Sequence, residues 1–144
     1  MSAALAACGG GGGTASETVT PAQFRQQADA LCAKHERQLD ALGNPTSLDD
    51  LRDYVTKAVP ILEKGNAELH SLQPPSELKA DWDQAMKLQD QGLQKVRDLQ
   101  TAAEKGDLAS VQTISASLNE ISKQSDRLAT KLGLRECGTA SSSD

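Results

Sequence analysis

Apolar side chains recur at spacings of three and four residues in four stretches of the chain, and no stretch keeps a period of two. Each stretch therefore predicts an amphipathic helix with one apolar face. The first face comprises Phe24, Ala28, Leu31, His35, Leu39 and Leu42, and the second comprises Leu51, Val55, Ala58, Leu62, Gly65, Leu69 and Leu72. The third comprises Leu78, Trp82, Ala85, Gln89, Gly92, Val96, Leu99 and Ala103, and the fourth comprises Val111, Ile114, Leu118, Ile121, Ser125, Leu128 and Leu132.

Short polar residues that favour helix starts precede three of these four patterns. The predicted N-caps are Thr20, Ser47 and Asp107. Gly133 follows the last apolar position of the fourth helix and predicts a left-handed ending there. Pro60 lies inside the second pattern, where its missing N–H and its ring predict a kink or a break.

Four amphipathic helices with short connections predict an all-α fold, an antiparallel four-helix bundle with up-down-up-down topology and a kink at Pro60. We expect the bundle to occupy residues 20–138, with the third helix running from about Ser76 to Glu104. Residues 139–144 are rich in serine and carry no apolar pattern, so we expect a disordered tail.

The N-terminus carries a motif for lipid attachment. Leu5-Ala6-Ala7-Cys8 resembles the lipobox of bacterial lipoproteins, in which the cysteine receives the lipid. Five glycines follow, so residues 8–19 are expected to be the lipidated Cys8 and a flexible tether of about 15–20 Å. Residues 1–7 lack the basic and apolar regions of a full signal peptide, and we interpret them as its remnant. The alternative is an Ala-rich N-terminus with a linker.

The cysteine count predicts one disulfide bond. The three cysteines are Cys8, Cys32 and Cys137. If Cys8 carries lipid, the other two form an even pair, and an exported protein meets an oxidising environment. The four residues after Gly133 span about 13 Å, enough to bring Cys137 back to the first helix. We therefore expect a Cys32–Cys137 disulfide; the alternative is a cytosolic chain with three thiols.

Charge and composition argue against several classes of partner. With 15 Lys and Arg against 20 Asp and Glu, a basic face for phosphate backbones is hard to build, so we expect no nucleic acid partner. Phe24, Tyr54 and Trp82 are the aromatic residues and offer little stacking area for sugars or bases. No apolar run reaches about 18 residues, so the N-terminal lipid is the expected contact with the membrane.

No pattern predicts catalysis, a cofactor or a metal ion. The CxxCH, HExxH and paired ExxH motifs are missing from the sequence. His35, His70 and Met86 are the candidate haem ligands, but the two histidines fall at different heights of the bundle. Cys32 and His35 are spaced like a nucleophile and its base, although an oxidised cysteine cannot attack. We therefore expect a protein that is not an enzyme and holds no cofactor or metal.

Small or polar residues interrupt the apolar faces near the middle of the predicted bundle. They are His35, Gly65, Gln89, Gly92 and Ser125. By axial rise, all five fall about 16–24 Å from the end where the first helix starts. One interpretation is a pocket for a small ligand. The alternative is close approach of the helices at the glycines, without a pocket.

Three further segments are similar to small bacterial lipoproteins: ADALCAK at 28–34, PPSELKADW at 74–82 and LGLRECG at 132–138. The resemblance covers most of the chain. It implies a lipid-anchored, disulfide-bonded helical domain outside the cytoplasm, on the bacterial cell membrane, and it implies no catalytic residues. We expect a non-enzymatic module that binds a protein or another component of the cell envelope. The alternative is a bundle that binds a small ligand or a metal ion in the mid-bundle polar layer.

Overall fold

The computed structural model describes residues 18–138, and this part of the chain contains four α-helices and no β-strand. The helices are α1 (Pro21–Asp40), α2 (Leu48–His70), α3 (Lys79–Lys105) and α4 (Leu108–Leu132). The predicted all-α fold with four helices is confirmed. The predicted signal remnant at 1–7, Cys8 with most of the tether, and the tail at 139–144 lie outside the described residues.

The predicted helix caps are present. Thr20 and Gln23 each accept a hydrogen bond from the backbone N–H of the other, which completes a capping box at the start of α1. Ser47 and Asp107 cap α2 and α4 through their side chains. Gly133 ends α4 with a φ of 77°, a left-handed conformation that favours glycine.

One helix boundary differs from the prediction, and of the kink or break predicted at Pro60 the break does not occur. α3 begins at Lys79 rather than near Ser76, and Leu78 occupies its cap position without a side-chain hydrogen bond. α2 continues from Leu48 to His70 through Pro60, so the break that Pro60 allows does not occur. The exposed position of Pro60 places its ring on the solvent side of the helix.

Cross-helix contacts show that consecutive helices are antiparallel. Between α2 and α3 the contacting pairs advance in opposite directions along the chain: Arg52 with Ala103, Glu63 with Arg97, and Asn66 with Asp90. Between α3 and α4, they are Asp81 with Lys131 and Gly92 with Ile121. Each helix therefore returns along the one before it.

The helices are staggered along the bundle axis. Phe24, near the start of α1, meets Trp82, near the start of α3. His35, eleven residues after Phe24, meets Glu68 close to the end of α2. His35 lies fourteen residues after the start of α1, and Glu68 lies two residues before the end of α2, so α2 ends about 18 Å short of the level where α1 begins. Because α1 stops at Asp40, α2 extends past it at the opposite end of the bundle.

The main core cluster lies at the end where α1 begins. Its buried members are Phe24, Ala28, Leu69, Trp82, Met86 and Leu132. Phe24 and Leu132 are 0% exposed, and the rings of Phe24 and Trp82 meet edge to face at 4.8 Å. The segment 71–78 covers the side that α2 leaves open, because Leu72 and Leu78 pack against this cluster.

The apolar face of α4 is less well covered in its first half. Val111, Ile114, Leu118 and Ile121 all remain partly exposed, and we call these four residues the open flank. The backbones of α1 and α4 approach each other at few points. The open flank therefore has its backbone neighbours mainly on α3.

Candidate functional site

The chain after α4 folds back toward α1. The N–H of Leu134 donates to the carbonyl of Ala129 at 2.9 Å, which turns the backbone at Gly133. Arg25 on α1 donates from Nε to the carbonyl of Leu132 at 2.7 Å. The last turn of α4 is therefore held to the first turns of α1, and the following residues start in the direction of Cys32.

Residues 133–138 form a segment that we call the C-terminal clasp. One carboxylate oxygen of Asp29 accepts hydrogen bonds from the backbone N–H groups of Arg135 and Glu136, both at 2.9 Å. Cys137 then bonds to Cys32, with 5.1 Å between the Cα atoms. The predicted Cys32–Cys137 disulfide is confirmed, and we call the clasp, the disulfide and the main core cluster the stapled end.

The clasp also contacts α4. A Cβ atom on Gly138 would lie 3.0 Å from the Cβ of Ala129, and the φ of Gly138 is 142°. A larger residue at position 138 would have a strained backbone and would clash with Ala129, so glycine suits this position. The clasp therefore contacts α1 through Cys32 and Asp29 and α4 through Ala129, and adds to the direct contact that Arg25 makes between these two helices.

His35 forms the main polar contact between α1 and α2. The residue is 7% exposed, its Nε2 lies 2.7 Å from a carboxylate oxygen of Glu68, and its Nδ1 lies 3.2 Å from Oε1 of Gln38. Lys34 donates to the same carboxylate at 2.8 Å. Hydrogen bonds from Lys34 and then His35 hold the pKa of Glu68 below its ordinary value. Both ring nitrogens of His35 lie within hydrogen-bond distance of oxygen atoms. These oxygen atoms occupy the positions that a metal ion or haem iron would take.

Among the five residues of the predicted mid-bundle pocket, the structure brings His35 and Gly65 into contact. Gly65 lies against the ring of His35, where an added Cβ would be 3.0 Å from two ring carbons. Gly92 faces Ile121 at the more ordinary distance of 3.7 Å, while Ser125 is half-buried. Neither of the two clefts described below includes any of the five residues. The pair His35 and Gly65 fits the alternative of close helix approach.

The placement of Gln89 on the inward face of α3 is wrong. Gln89 is exposed, whereas Leu88 beside it is 8% exposed. Leu88 lies seven residues after Asp81 and four before Gly92, and both of these residues contact α4. α3 packs against α4 as well as α2, so its buried face is wider than a single seam and includes Leu88.

A cleft of about 310 Å³ lies between α3 and the segment that follows α2. It is lined by His70, Leu72, Gln73, Pro74, Lys79, Trp82, Asp83, Met86, Lys87 and Asp90. Trp82 and Met86, 3% and 6% exposed, form its apolar floor. The stagger of α2 creates this cleft, because the segment 71–75 crosses α3 where a helix would otherwise pack. We call it the α3 cleft.

The charged groups of the α3 cleft are mostly paired. Lys79 and Asp83 form an ion pair at 2.7 Å. Asp90 accepts from Asn66 at 2.8 Å and lies 2.9 Å from Nε2 of His70. The hydrogen bond from Asn66, and then that from His70, keeps the pKa of Asp90 below its ordinary value, so this carboxylate is ionised at neutral pH.

Lys87 is the exception among these charges. Asp83 pairs with Lys79 rather than with Lys87, although both lysines are four residues away. Within residues 18–138, the ammonium group of Lys87 has no hydrogen-bond or ion-pair partner. The α3 cleft therefore combines an apolar floor with one unpaired positive charge.

A second cleft of about 330 Å³ lies at the opposite end and is mostly polar. Its lining residues include Asp50, whose pKa is lowered by hydrogen bonds from Thr46 and then Ser47. Burial and the nearby charge of Asp40 raise the pKa of Tyr54. The polar groups around Asp50 serve the start of α2, so helix capping accounts for their arrangement.

Residues 18–138 contain no group of three His, Cys, Asp or Glu side chains placed to hold a metal ion. None of the four described helices combines the length and the apolar character needed to cross a bilayer. Comparison with protein-family models, with curated proteins and with solved structures finds no match for the chain.

Sequence reasoning missed the α3 cleft and the role of Asp29. One signal for the cleft was present, because Gln73-Pro74-Pro75 requires an extended backbone after α2. That signal indicates a non-helical segment but not which helix it crosses. Asp29 has no local signature, since its partners are 106 and 107 residues away.

Proposed function

We propose that this chain is a bacterial lipoprotein, anchored to the cell membrane by lipid on Cys8, that acts outside the cytoplasm as a non-enzymatic binding module of the cell envelope. The observation that carries the proposal is the Cys32–Cys137 disulfide, which joins residues 105 positions apart. Disulfides persist in oxidising compartments and are rare in the cytosol. The disulfide leaves Cys8 as the odd cysteine, which a lipidation site requires.

The position of the first residues of α1 supports an anchored domain. Thr20 begins α1 at the stapled end, so a tether of residues 8–19 would reach the domain there. The disulfide and the clasp hold the same end together. Two or three acyl chains on Cys8 would give firm membrane attachment, whereas one chain would bind only marginally. On this proposal the long sides of the bundle face the other components of the cell envelope, and the partner of the protein binds there.

Intact mass of the protein from native membranes tests this proposal. We expect the mass of a processed chain that begins at an acylated Cys8, and on reduction the mass gain of one opened disulfide. A protein from the soluble cytosolic fraction with an unmodified Cys8 and free thiols at Cys32 and Cys137 would contradict it. Trypsin accessibility on intact spheroplasts separates an outward-facing domain from an inward-facing one.

A specific observation favours small-ligand binding as a second candidate function. The α3 cleft has an apolar floor and an unpaired cation, whereas the mid-bundle polar layer has His35 packed on Gly65. If the protein binds a small ligand, the α3 cleft is therefore the better site. Replacing a cleft residue would then change ligand affinity, and replacing Ser125 would not.

A further inference from the structure

The α3 cleft has a rigid apolar floor. Trp82 is fixed by its edge-to-face contact with Phe24, the ring planes being 88° apart, and both residues belong to the main core cluster. Leu72 also packs against this cluster and forms part of the cleft wall. The floor therefore exists before any ligand arrives, as is usual for small-molecule sites.

The size of the cleft limits what it can hold. Its volume of about 310 Å³ lies near the lower bound for small-molecule pockets, which begin at about 300 Å³. Its lining on α3 runs from Lys79 to Asp90, eleven residues or about 16 Å along the helix. A cleft of this volume and length suits one short alkyl chain or one ring system.

The pairing of the charged side chains in the cleft favours a negatively charged ligand. Asp83 is paired with Lys79, and Asp90 has Asn66 and His70 as partners. A cationic ligand would therefore have to compete for carboxylates that already have donors. Lys87 has no such partner in the described part of the chain, so an anionic group is the one that would gain a new ion pair.

We propose that the α3 cleft binds a small amphiphilic carboxylate. The apolar body lies along Trp82, Met86 and Leu72, and the carboxylate pairs with the ammonium group of Lys87. This proposal deepens the binding role proposed above and rests on it, because it names a ligand class for the same module.

Titration of the oxidised domain with octanoate tests the proposal, with octylamine as the matched probe of opposite charge. Trp82 is the single tryptophan of the chain, so its fluorescence reports the cleft directly. We expect octanoate to shift the emission of Trp82 in a saturable way and octylamine to bind at least fivefold more weakly. Equal affinity for the two probes would overturn the proposal, as would no saturable shift with octanoate.

Two lysine variants separate a specific ion pair from general electrostatic attraction. Lys87→Gln should weaken octanoate about fivefold, the effect of one exposed ion pair of about 1 kcal/mol. Lys64→Gln is the matched control, since Lys64 is exposed on α2 and does not line the cleft. Both lysines are exposed, so both variants should keep the helical circular dichroism of the parent. Equal octanoate affinity in the two variants would contradict the assignment of Lys87.

Failure of the ligand proposal can be distinguished from failure of the proposed function. If the native protein carries acylated Cys8 and the disulfide but octanoate does not bind, the anchored module stands and this ligand class is wrong. If octanoate binds and depends on Lys87 but the native protein is cytosolic and unacylated, the cleft assignment stands and the proposed location is wrong.

Discussion

The stapled end and the open flank have similar apolar patterns but very different burial. At the stapled end, Phe24 and Leu132 are fully buried and Trp82 is 3% exposed. On the open flank, Ile114 and Leu118 occupy equivalent positions of the α4 pattern and remain partly exposed. The comparison teaches that the repeat selects the face of a helix, whereas the neighbouring elements decide how completely that face is covered.

The stagger of the helices explains the difference. At the stapled end, the segment 71–78 and the C-terminal clasp replace the missing turns of α2 and fill the space beside α1. At the open flank, the backbone neighbours of α4 lie mainly on α3. We therefore infer that the stapled end is more stable against local unfolding than the open flank.

The largest expected effect is the loss of Phe24. Phe24→Ala should lower the free energy of unfolding by about 3–5 kcal/mol, because a fully buried ring leaves a cavity. Ile114→Ala on the open flank should cost only about 1–2 kcal/mol, since its site is already partly hydrated. Urea denaturation of both variants measures the difference. Similar losses would remove the contrast between the two regions; if Phe24→Ala does not fold, Phe24→Leu makes the same comparison at smaller cost.

Removal of the disulfide should have the next largest effect. Cys32→Ser with Cys137→Ser should cost about 2–5 kcal/mol, because the bond closes a loop between residues 105 positions apart. Reduction of the parent protein is the control and should give the same urea midpoint as the double variant. An unchanged midpoint would show that the clasp, through Asp29 and Arg25, holds the tail without the covalent bond.

Two helical glycines give a smaller and opposite pair of effects. Gly65→Ala places a Cβ 3.0 Å from the ring of His35, a clash of about 1–3 kcal/mol that outweighs a helix-propensity gain of about 1 kcal/mol. Gly92→Ala finds ordinary contact at 3.7 Å from Ile121, so it should stabilise by up to about 1 kcal/mol. Thermal unfolding gives the sign of each change. Stabilisation by both substitutions would show that the α1–α2 contact is loose.

The smallest expected effect is on the loss of stability at acidic pH. The pKa of Glu68 is lowered in the folded state by Lys34 and then His35, from an ordinary value of 4.5. The unfolded state therefore binds the proton more readily, and this stability is present above about pH 4.5 and is lost as the pH falls through the folded pKa. Glu68→Gln should flatten the loss of stability in that range. Glu77→Gln, at an exposed position before α3, is the control and should leave the slope unchanged.

Features that depend on local chemistry were predicted well from the sequence. The capping box at Thr20, the cap at Ser47 and the left-handed glycine at 133 each involve residues within one turn of one another. The Cys32–Cys137 disulfide was also accessible, because the cysteine count and the direction of the chain after Gly133 together left one favoured pairing. Such features need no knowledge of how the helices are placed along the bundle axis.

The axial stagger could not be predicted, and the candidate site depends on it. Helical periodicity specifies rotation about an axis but carries no information on translation along it. The prediction therefore aligned the helix ends, whereas in the structure they are staggered. The same offset moves the end of α2 to the level of Asp90 and opens the α3 cleft. No residue type in the sequence reports that offset.

Native-state hydrogen exchange tests most directly the claim that the stapled end is more stable than the open flank. We expect the amides of Ala28, His35 and Leu128 in the oxidised protein to exchange slowest, through global unfolding, because they lie in or beside the stapled end. The amides from Val111 to Ile121 should exchange at least tenfold faster, through local opening of the first half of α4. Uniform protection along α4, or slower exchange on the open flank than at the stapled end, would contradict the claim.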